Sequence, residues 1–438
     1  MPRTVLLLLL SSSALAAPRT EALSLADALV VLREHSVDLQ LSATAVTAAA
    51  GDARTARAIA NPGFGATVAK SFACPPEGCH WLGPWGWGAS LSDSSATLDA
   101  ISGKRGLRIQ AGEAGLDAAR AGREDAERVL VLETAQQYVQ TLVLQESVVA
   151  AAESRQAADQ LAALTRVRFQ TGAVSEADVL KVETDALEAA QAHDTATLAW
   201  SSARQALANL LGIPEEARTL TLREPSILSV PVEDPASTTS LPELLTLAES
   251  GRPDLREAGA RAARAEAAAA LVRRQRFPDI GLSIQYAQQG TDATAITPPT
   301  LTFGLTSTLP IFDQLQGPIA RAEADGKGEQ LQLARTRLRV RAEVAAALDA
   351  EATARRLVER MEGGLLSRAE RVRNLVRYQY EKGAASLLEL IDAERTFRGI
   401  RLERFQDLGA YWTAVLRLKA SVGEPVEVAS SPTPSSRG

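Results

Sequence analysis

Ser24-Leu25-Ala26-Asp27-Ala28-Leu29 returns as Ser240-Leu241-Pro242-Glu243-Leu244-Leu245, and the reading of that return decides the fold. Asp38-Leu39 recurs as Asp254-Leu255 and Pro62 as Pro278, so the offset holds at 216 from 24 to 240, from 38 to 254 and from 62 to 278. Further along, Asp99 and Gly103 recur as Asp313 and Gly317 at an offset of 214, and Gly172-Ala173-Val174-Ser175 recurs as Gly383-Ala384-Ala385-Ser386 at 211. Gly, Pro and Ser markers in one order, with slowly drifting offsets, mark an internal duplication with small insertions rather than a shared alanine content. The chain divides into a first repeat at 18–212, a Pro-rich linker at 213–239 with room for a short strand, a second repeat at 240–423, and a Pro/Ser-rich tail at 424–438 expected to be disordered.

Each repeat opens with a Ser-x-x-acid capping box, Ser24 to Asp27 and Ser240 to Glu243, whose side chains satisfy the orphan N–H groups at a helix start. Helix is expected to about Ala60 and Arg276, where Asn61-Pro62 and Phe277-Pro278 stop it, because proline lacks the N–H and pushes its predecessor toward extended geometry. Beyond each proline the apolar period changes to two. Ile280, Leu282, Ile284 and Tyr286 alternate with small polar residues, as do Leu301, Phe303 and Leu305, predicting a strand pair at about 279–310. The first copy has its pair at about 63–98, where Trp85, Trp87, Ala89 and Leu91 share a face. That alternation fits an interfacial aromatic girdle and equally a half-buried hairpin of a soluble sheet.

After Gly103 and Gly317 the pattern is helical to about Gln170 and Lys382, roughly 100 Å at 1.5 Å per residue. Gly172 and Gly383 break the run, and return helices of roughly 60 Å extend to about Leu211 and Val422. The shorter helices of about 36–60 and 253–276 supply roughly 36 to 38 Å more, so two stacked short helices match one long one. A hairpin of this kind cannot bury its apolar stripes alone and needs lateral neighbours, a ring of which forms a hollow cylinder.

Met1-Pro2-Arg3, the apolar run Val5 to Leu10 and the small residues ending in Ala14-Leu15-Ala16-Ala17 read as a signal peptide at 1–17. No later stretch has the roughly 18 apolar residues that a membrane-spanning helix needs, so a bilayer crossing has to be a barrel. Hydrophobic residues make up 46% of the chain and aromatics only 4%, a balance that favours long, closely packed Ala-rich helices over a bulky globular core. The net charge of -6 argues against nucleic acid as a partner. In an exported chain, Cys74 and Cys79 are expected to form one local disulfide; with His80 they would fall short of a four-ligand metal site. His35, His80 and His193 are far apart and no nucleophile motif, phosphate loop or metal spacing accompanies them, so neither an enzyme nor a cofactor is expected. Four strands per chain cannot close a lipid-facing barrel, which starts at about eight, so several chains must close it together.

The duplicated helix–Pro–strand starts, Leu309-Pro310-Ile311-Phe312-Asp313, and the run Tyr380-Glu381-Lys382-Gly383-Ala384-Ala385-Ser386-Leu387-Leu388-Glu389-Leu390-Ile391-Asp392-Ala393 resemble the TolC-like outer-membrane efflux protein family. The resemblance covers nearly all of the mature chain to about residue 423. It implies a mainly α fold with a small β part, in which a trimeric α-helical periplasmic barrel continues into a 12-stranded transmembrane β-barrel. It implies an outer-membrane location with a large periplasmic extension, lipid contact, and a passive export role alongside a periplasmic adaptor (membrane fusion) protein and an inner-membrane pump. By the same resemblance, Glu389 and Asp392 take the positions of the carboxylates that narrow the tunnel entrance, and Asp178 and Tyr380 those of an entrance latch. Ala385 stands where the family's latch has Arg. The turns Gly172, Ala173, Val174, Ser175 and Gly383, Ala384, Ala385, Ser386 take the places of the tips that meet the adaptor. Ser175 to Asp178 and Ser386 to Glu389 are also capping boxes, so both acids have a purely local reading. The rival for the whole chain is a periplasmic coiled-coil or adaptor-type protein without a pore.

Overall fold

The computed structural model describes residues 22–73, 76, 78, 80–93, 99, 102–223, 227, 240–288, 298–307 and 310–426. The predicted signal peptide, Cys74 and Cys79, most of the linker and nearly all of the tail lie outside the described residues. The first repeat comprises α1 (Leu25–His35), α2 (Val37–Arg57), β1 (Gly63–Ala73), β2 (His80–Asp93), α3 (Lys104–Gln170) and α4 (Glu176–Leu211). The second comprises α5 (Leu241–Gly251), α6 (Pro253–Arg274), β3 (Ile280–Gln288), β4 (Thr300–Ser307), α7 (Gln316–Arg360), α8 (Leu366–Glu381) and α9 (Leu387–Val422). Among the described residues no helix is long and apolar enough to cross a membrane.

One departure from the sequence reading stands out. The second long helix, expected to run unbroken to about Lys382, is interrupted by a π-helical turn at Met361–Leu365, in which Gly364 has φ 134°. Gly363 and Gly364 stand side by side there, and glycine is both the poorest non-proline helix former and the residue that reaches positive φ without a Cβ penalty. α3, which has no such pair at the aligned position, runs for 67 residues without a break.

The chain forms two compact units. The first holds 22–39, 127–251 and 342–426 of the described residues. Its main core joins Leu25, Leu29 and Leu32 of α1 to Ala135, Tyr138 and Leu142 of α3, Leu207 and Leu211 of α4, and Leu416 and Ala420 of α9. The Tyr138 hydroxyl, fully buried, donates to the Leu23 carbonyl at 2.8 Å, which satisfies its polar tip inside the core. Leu23 also forms a parallel bridge with Leu222, the one short pairing seen in the described part of the linker. α4 and α9 end alike, on Gly212 (φ 76°) and Gly423 (φ 83°).

The second unit holds 40–126 and 252–341, including the sheet. Its strands lie in the order β1-β2-β3-β4, every neighbour antiparallel. The register places Phe64, Leu91, Ile284 and Phe303 in one row, and Ala66, Ala89, Tyr286 and Leu301 in the next on the same face. The opposite face carries Gly65, Ser90, Gln285 and Thr302, then Gly63, Ser92, Ser283 and Gly304. Because side chains alternate along a strand, a one-residue slip would exchange the two faces entirely, so this register is strongly specified.

Candidate channel entrance and membrane sheet

The tips of the two helical hairpins are built from local signals. Gly172 and Gly383 both have φ 76°, and a Cβ at either would meet nothing within 4 Å, so each glycine serves backbone conformation and not close packing. The amide of Ala173 bonds the Arg168 carbonyl at 2.8 Å and that of Ala384 the Gln379 carbonyl at 2.8 Å, closing the two helix ends identically. Ser175 and Ser386 then cap α4 and α9. Ser175 accepts from the Asp178 amide at 3.2 Å and donates to the Asp178 carboxylate at 2.8 Å; Ser386 accepts from the Glu389 amide at 3.3 Å while its own amide donates to Glu389 at 2.8 Å.

Of the residues matched to the entrance, Glu389 and Asp392 are exposed on the first turns of α9, three residues apart on one helix face. Glu389 is engaged in its cap. Asp178 and Tyr380 are not brought into a bond with each other within the chain. Asp178 faces Ser175 and Lys181, the latter at 3.7 Å, and its carboxyl is held below the ordinary range by the Ser175 hydroxyl, with the Ser175 amide and Lys181 adding to that and burial opposing it. Tyr380 lies under the Arg168 guanidinium, 5.2 Å from its ring centre, and packs against Val182, Leu387 and Ile391.

The sequence reading passed over what joins the two hairpins. Asp185 of α4, its side chain only 5% exposed, accepts from Arg395 at 2.9 Å and from Arg398 at 2.9 and 3.1 Å, and Arg395 also reaches Glu188 at 2.8 Å. The Asp185 bond is the leading reason why the Arg395 guanidinium holds its proton more firmly than usual. Arg401 adds a bond to Glu153 at 2.5 Å. Within each hairpin the duplication preserves an ion pair, Arg166 with Glu183 and Arg377 with Glu394, each partner shifted by the same 211 residues as the tips. Asp185, Arg398 and Arg401 themselves, with Leu161, Tyr380 and Phe397, line a cavity of about 410 Å³. The available signal was an acid placed beside the apolar stripe Val179, Val182, Ala186 and Ala189 of α4, where a buried carboxylate requires a cationic partner.

The sheet is a different kind of surface. Phe64 and Phe303, at opposite ends of one row, are 75% and 74% exposed, and Val68, Trp87, Leu91, Leu301 and Leu305 on the same face are at least half exposed. The Trp87 and Tyr286 rings meet at 5.2 Å near the hairpin end, and the Lys70 ammonium lies 5.1 Å over the Trp85 ring. Chains in water seldom leave so large a contiguous apolar face uncovered.

Residues 28–213 and 244–424 match the family described as outer membrane efflux protein. Over 325 residues the chain is 25% identical to the cobalt-zinc-cadmium resistance protein CzcC of Cupriavidus metallidurans, covering 74% of each. It is 28% identical over 325 residues to the pyoverdine export outer membrane protein OpmQ of Pseudomonas putida, covering 70% of this chain and 64% of that protein. The CmeC outer membrane channel of Campylobacter jejuni shares its fold, with a TM-score of 0.78 at 18% identity over 93% of this chain and 87% of that one. Two matched segments, one on each repeat, together with the greasy four-stranded sheet and the duplicated helical hairpins, place this chain in the outer membrane efflux protein family, as an outer-membrane channel component of an efflux system.

Proposed function

We propose that three copies of this chain close a twelve-stranded barrel in the outer membrane and a helical conduit below it, through which small molecules or ions delivered by an inner-membrane pump and a periplasmic adaptor leave the cell passively. One observation carries the reading. The four-stranded sheet is apolar on one face and lined by Gly, Ser, Thr and Gln on the other, as a strand between lipid and a watery lumen has to be. From Trp85 to Asp93 the strand rises roughly 26 Å, which suits an apolar band about 25 Å tall. Among the described residues both outer strands, β1 and β4, have a free edge, and lipid cannot satisfy those backbone groups, so neighbouring copies supply the pairing. Eight strands from two copies would make a barrel filled by its own side chains, whereas twelve leave a lumen.

Within this reading Glu389 and Asp392 form an acidic ring at the entrance, and the Gly172–Ser175 and Gly383–Ser386 turns meet the adaptor. The two relatives, a cobalt-zinc-cadmium resistance protein and a pyoverdine export outer membrane protein, are named for unlike cargoes, which fits a conduit whose cargo is chosen elsewhere. An acidic ring favours cations through its local potential, without a binding pocket. The test is single-channel recording in planar bilayers with the wild type and a Glu389→Ala, Asp392→Ala double variant. Discrete conductance with cation selectivity reduced in the variant is expected. Unchanged selectivity would leave Glu389 as a helix cap and Asp392 as a surface residue, and absence of conductance from a folded oligomer would favour a periplasmic coiled-coil role.

A further inference from the structure

The helix-side end of the sheet carries chemistry that neither the strands nor the hairpins use. All four strands enter or leave the helices at this end, since Gly63, Ser92, Ser283 and Gly304 share one row. Around it four large apolar side chains face solvent: Ile59, Phe277 and Ile311 at 68%, 57% and 68% exposure, and Phe312 at 96%. The same junctions hold three guanidiniums whose only hydrogen-bond partners among the described residues are neutral. Arg105 donates to the Arg57 carbonyl at 2.8 Å, Arg274 to the Ser102 carbonyl at 2.7 Å, and Arg276 to the Gln314 side chain at 3.4 Å. The Nε of Arg105 is buried with no acceptor, and Arg274 lies 5.0 Å over the Phe277 ring. The neighbouring cations are different: Arg57 is neutralised by Glu113 and Lys104 by Asp279, each at 2.5 Å. Against these three guanidiniums stands the exposed Asp313, whose carboxylate accepts from the Leu315 amide at 2.8 Å, so the junction keeps more cation than anion beside exposed apolar side chains.

We propose that these junctions form a collar that binds the phosphate headgroups of anionic phospholipid in the leaflet adjoining the helices, with Phe277 and Phe312 seated among the acyl chains. The inference rests on the barrel reading above. Its occupant is set by two features together: the collar adjoins the end of the sheet at which all four strands meet the helices, and the guanidiniums without a carboxylate partner outnumber the carboxylates without a cation. Guanidinium forks suit phosphate oxygens, and aromatic rings suit the boundary between headgroup and hydrocarbon. Each basic residue at an anionic membrane surface contributes about a fivefold preference.

The experiment reconstitutes the full oligomer in nanodiscs of phosphatidylcholine with one-quarter phosphatidylglycerol and counts retained lipids by native mass spectrometry. The wild type is expected to retain phosphatidylglycerol well beyond its share. An Arg105→Gln, Arg274→Gln, Arg276→Gln variant should lose that preference, and the corresponding triple Lys variant should keep most of it. Should the Gln variant fold poorly, Phe312→Ser, at a side chain almost wholly exposed, should still lower the number of retained lipids of either kind. Equal retention of the two lipids by the wild type, or undiminished phosphatidylglycerol on the Gln variant, would overturn the collar. Conductance recorded in pure phosphatidylcholine separates the two readings: a conducting channel without lipid preference loses only the collar, whereas a folded oligomer that never conducts loses the channel.

Discussion

The two repeats solve the same local problem with different residues at the start of their second helix. In the first, Ser36 sits between α1 and α2, and Asp38, two residues on, is exposed. In the second, the aligned residues are Arg252 and Asp254, buried at 1% and 5% exposure, and joined by two bonds of 3.0 and 2.8 Å, with Arg339 adding a third at 3.1 Å. The tip-side helices diverge too: α3 is continuous, while α7 and α8 are separated by the Gly364 turn, beside which Arg404 holds Glu362 at 2.6 Å. The lesson is that duplication conserved the hairpin tips, with their glycine turns, serine caps and paired Arg–Glu contacts, and relaxed the start of the second helix and the continuity of the long one.

The sharpest way to break this comparison is at the aligned aspartates. Asp254→Ala removes the bidentate carboxylate from a buried arginine and should cost about 3–5 kcal/mol, read as a drop in the urea midpoint, whereas Asp38→Ala should stay within about 1 kcal/mol. Equal effects would mean that Arg252 finds other partners or that Asp38 is more than a surface residue. Next, Leu207→Ala removes a fully buried side chain from the core of the first unit and should cost about 2–5 kcal/mol; Leu418→Ala, 211 residues on and 3% exposed, should match it if the two return helices pack equally. A marked inequality would show that one repeat carries more of the core.

Across the hairpins, Asp185→Ala should cost about 1.5–3 kcal/mol, because it removes charged hydrogen bonds and leaves Arg398 partly buried; the aligned and exposed Thr396→Ala should be nearly silent. Thermal melts of the two variants decide it. Gly364→Ala, at a position with φ 134°, should cost about 1–2 kcal/mol and appear as faster amide exchange around Met361–Leu365, with α3 unaffected.

The smallest effect concerns pH. Asp178 has a folded pKa below its unfolded value, chiefly through the Ser175 hydroxyl, so its contribution is fully present above the unfolded value near 4 and fades as pH falls through the depressed folded value. Amide protection in the first turn of α4 should thus stay flat above about pH 5 and decline below about pH 4. A Ser175→Ala variant, which should itself lose about 1 kcal/mol of helix stability, should show a flatter profile. A decline centred near pH 6 would mean that some other group controls the tip.

Much of the fold was legible because its signals are short-ranged. The Ser-x-x-acid boxes at Ser24, Ser175 and Ser386 form as read, and at Ser240 the Glu243 carboxylate reaches back to the Ser240 amide and hydroxyl, since these bonds reach only three residues along the chain. The strand pairs were visible in the two-residue period, and the sheet has the apolar and polar faces that period implies. The break at Gly363-Gly364 is not legible in the pattern, because glycine within a long helix is usually tolerated and the apolar period on either side stays helical. The residues proposed for the entrance came from family resemblance, and the geometry gives Glu389 and Asp178 a capping role that either reading accommodates.

By itself the sequence determined the duplication, the order of helices and strands, the glycine turns and the alternation that gives the sheet one greasy face, since each is set by backbone conformation and side-chain period within a few residues. Only the tertiary structure decided that Asp185 meets Arg395 and Arg398, that Arg252 is buried on Asp254, and which strand rows lie side by side. Those pairings join residues far apart in the chain or depend on which faces become buried, and a charge reads the same in sequence whether it ends in solvent or in a core.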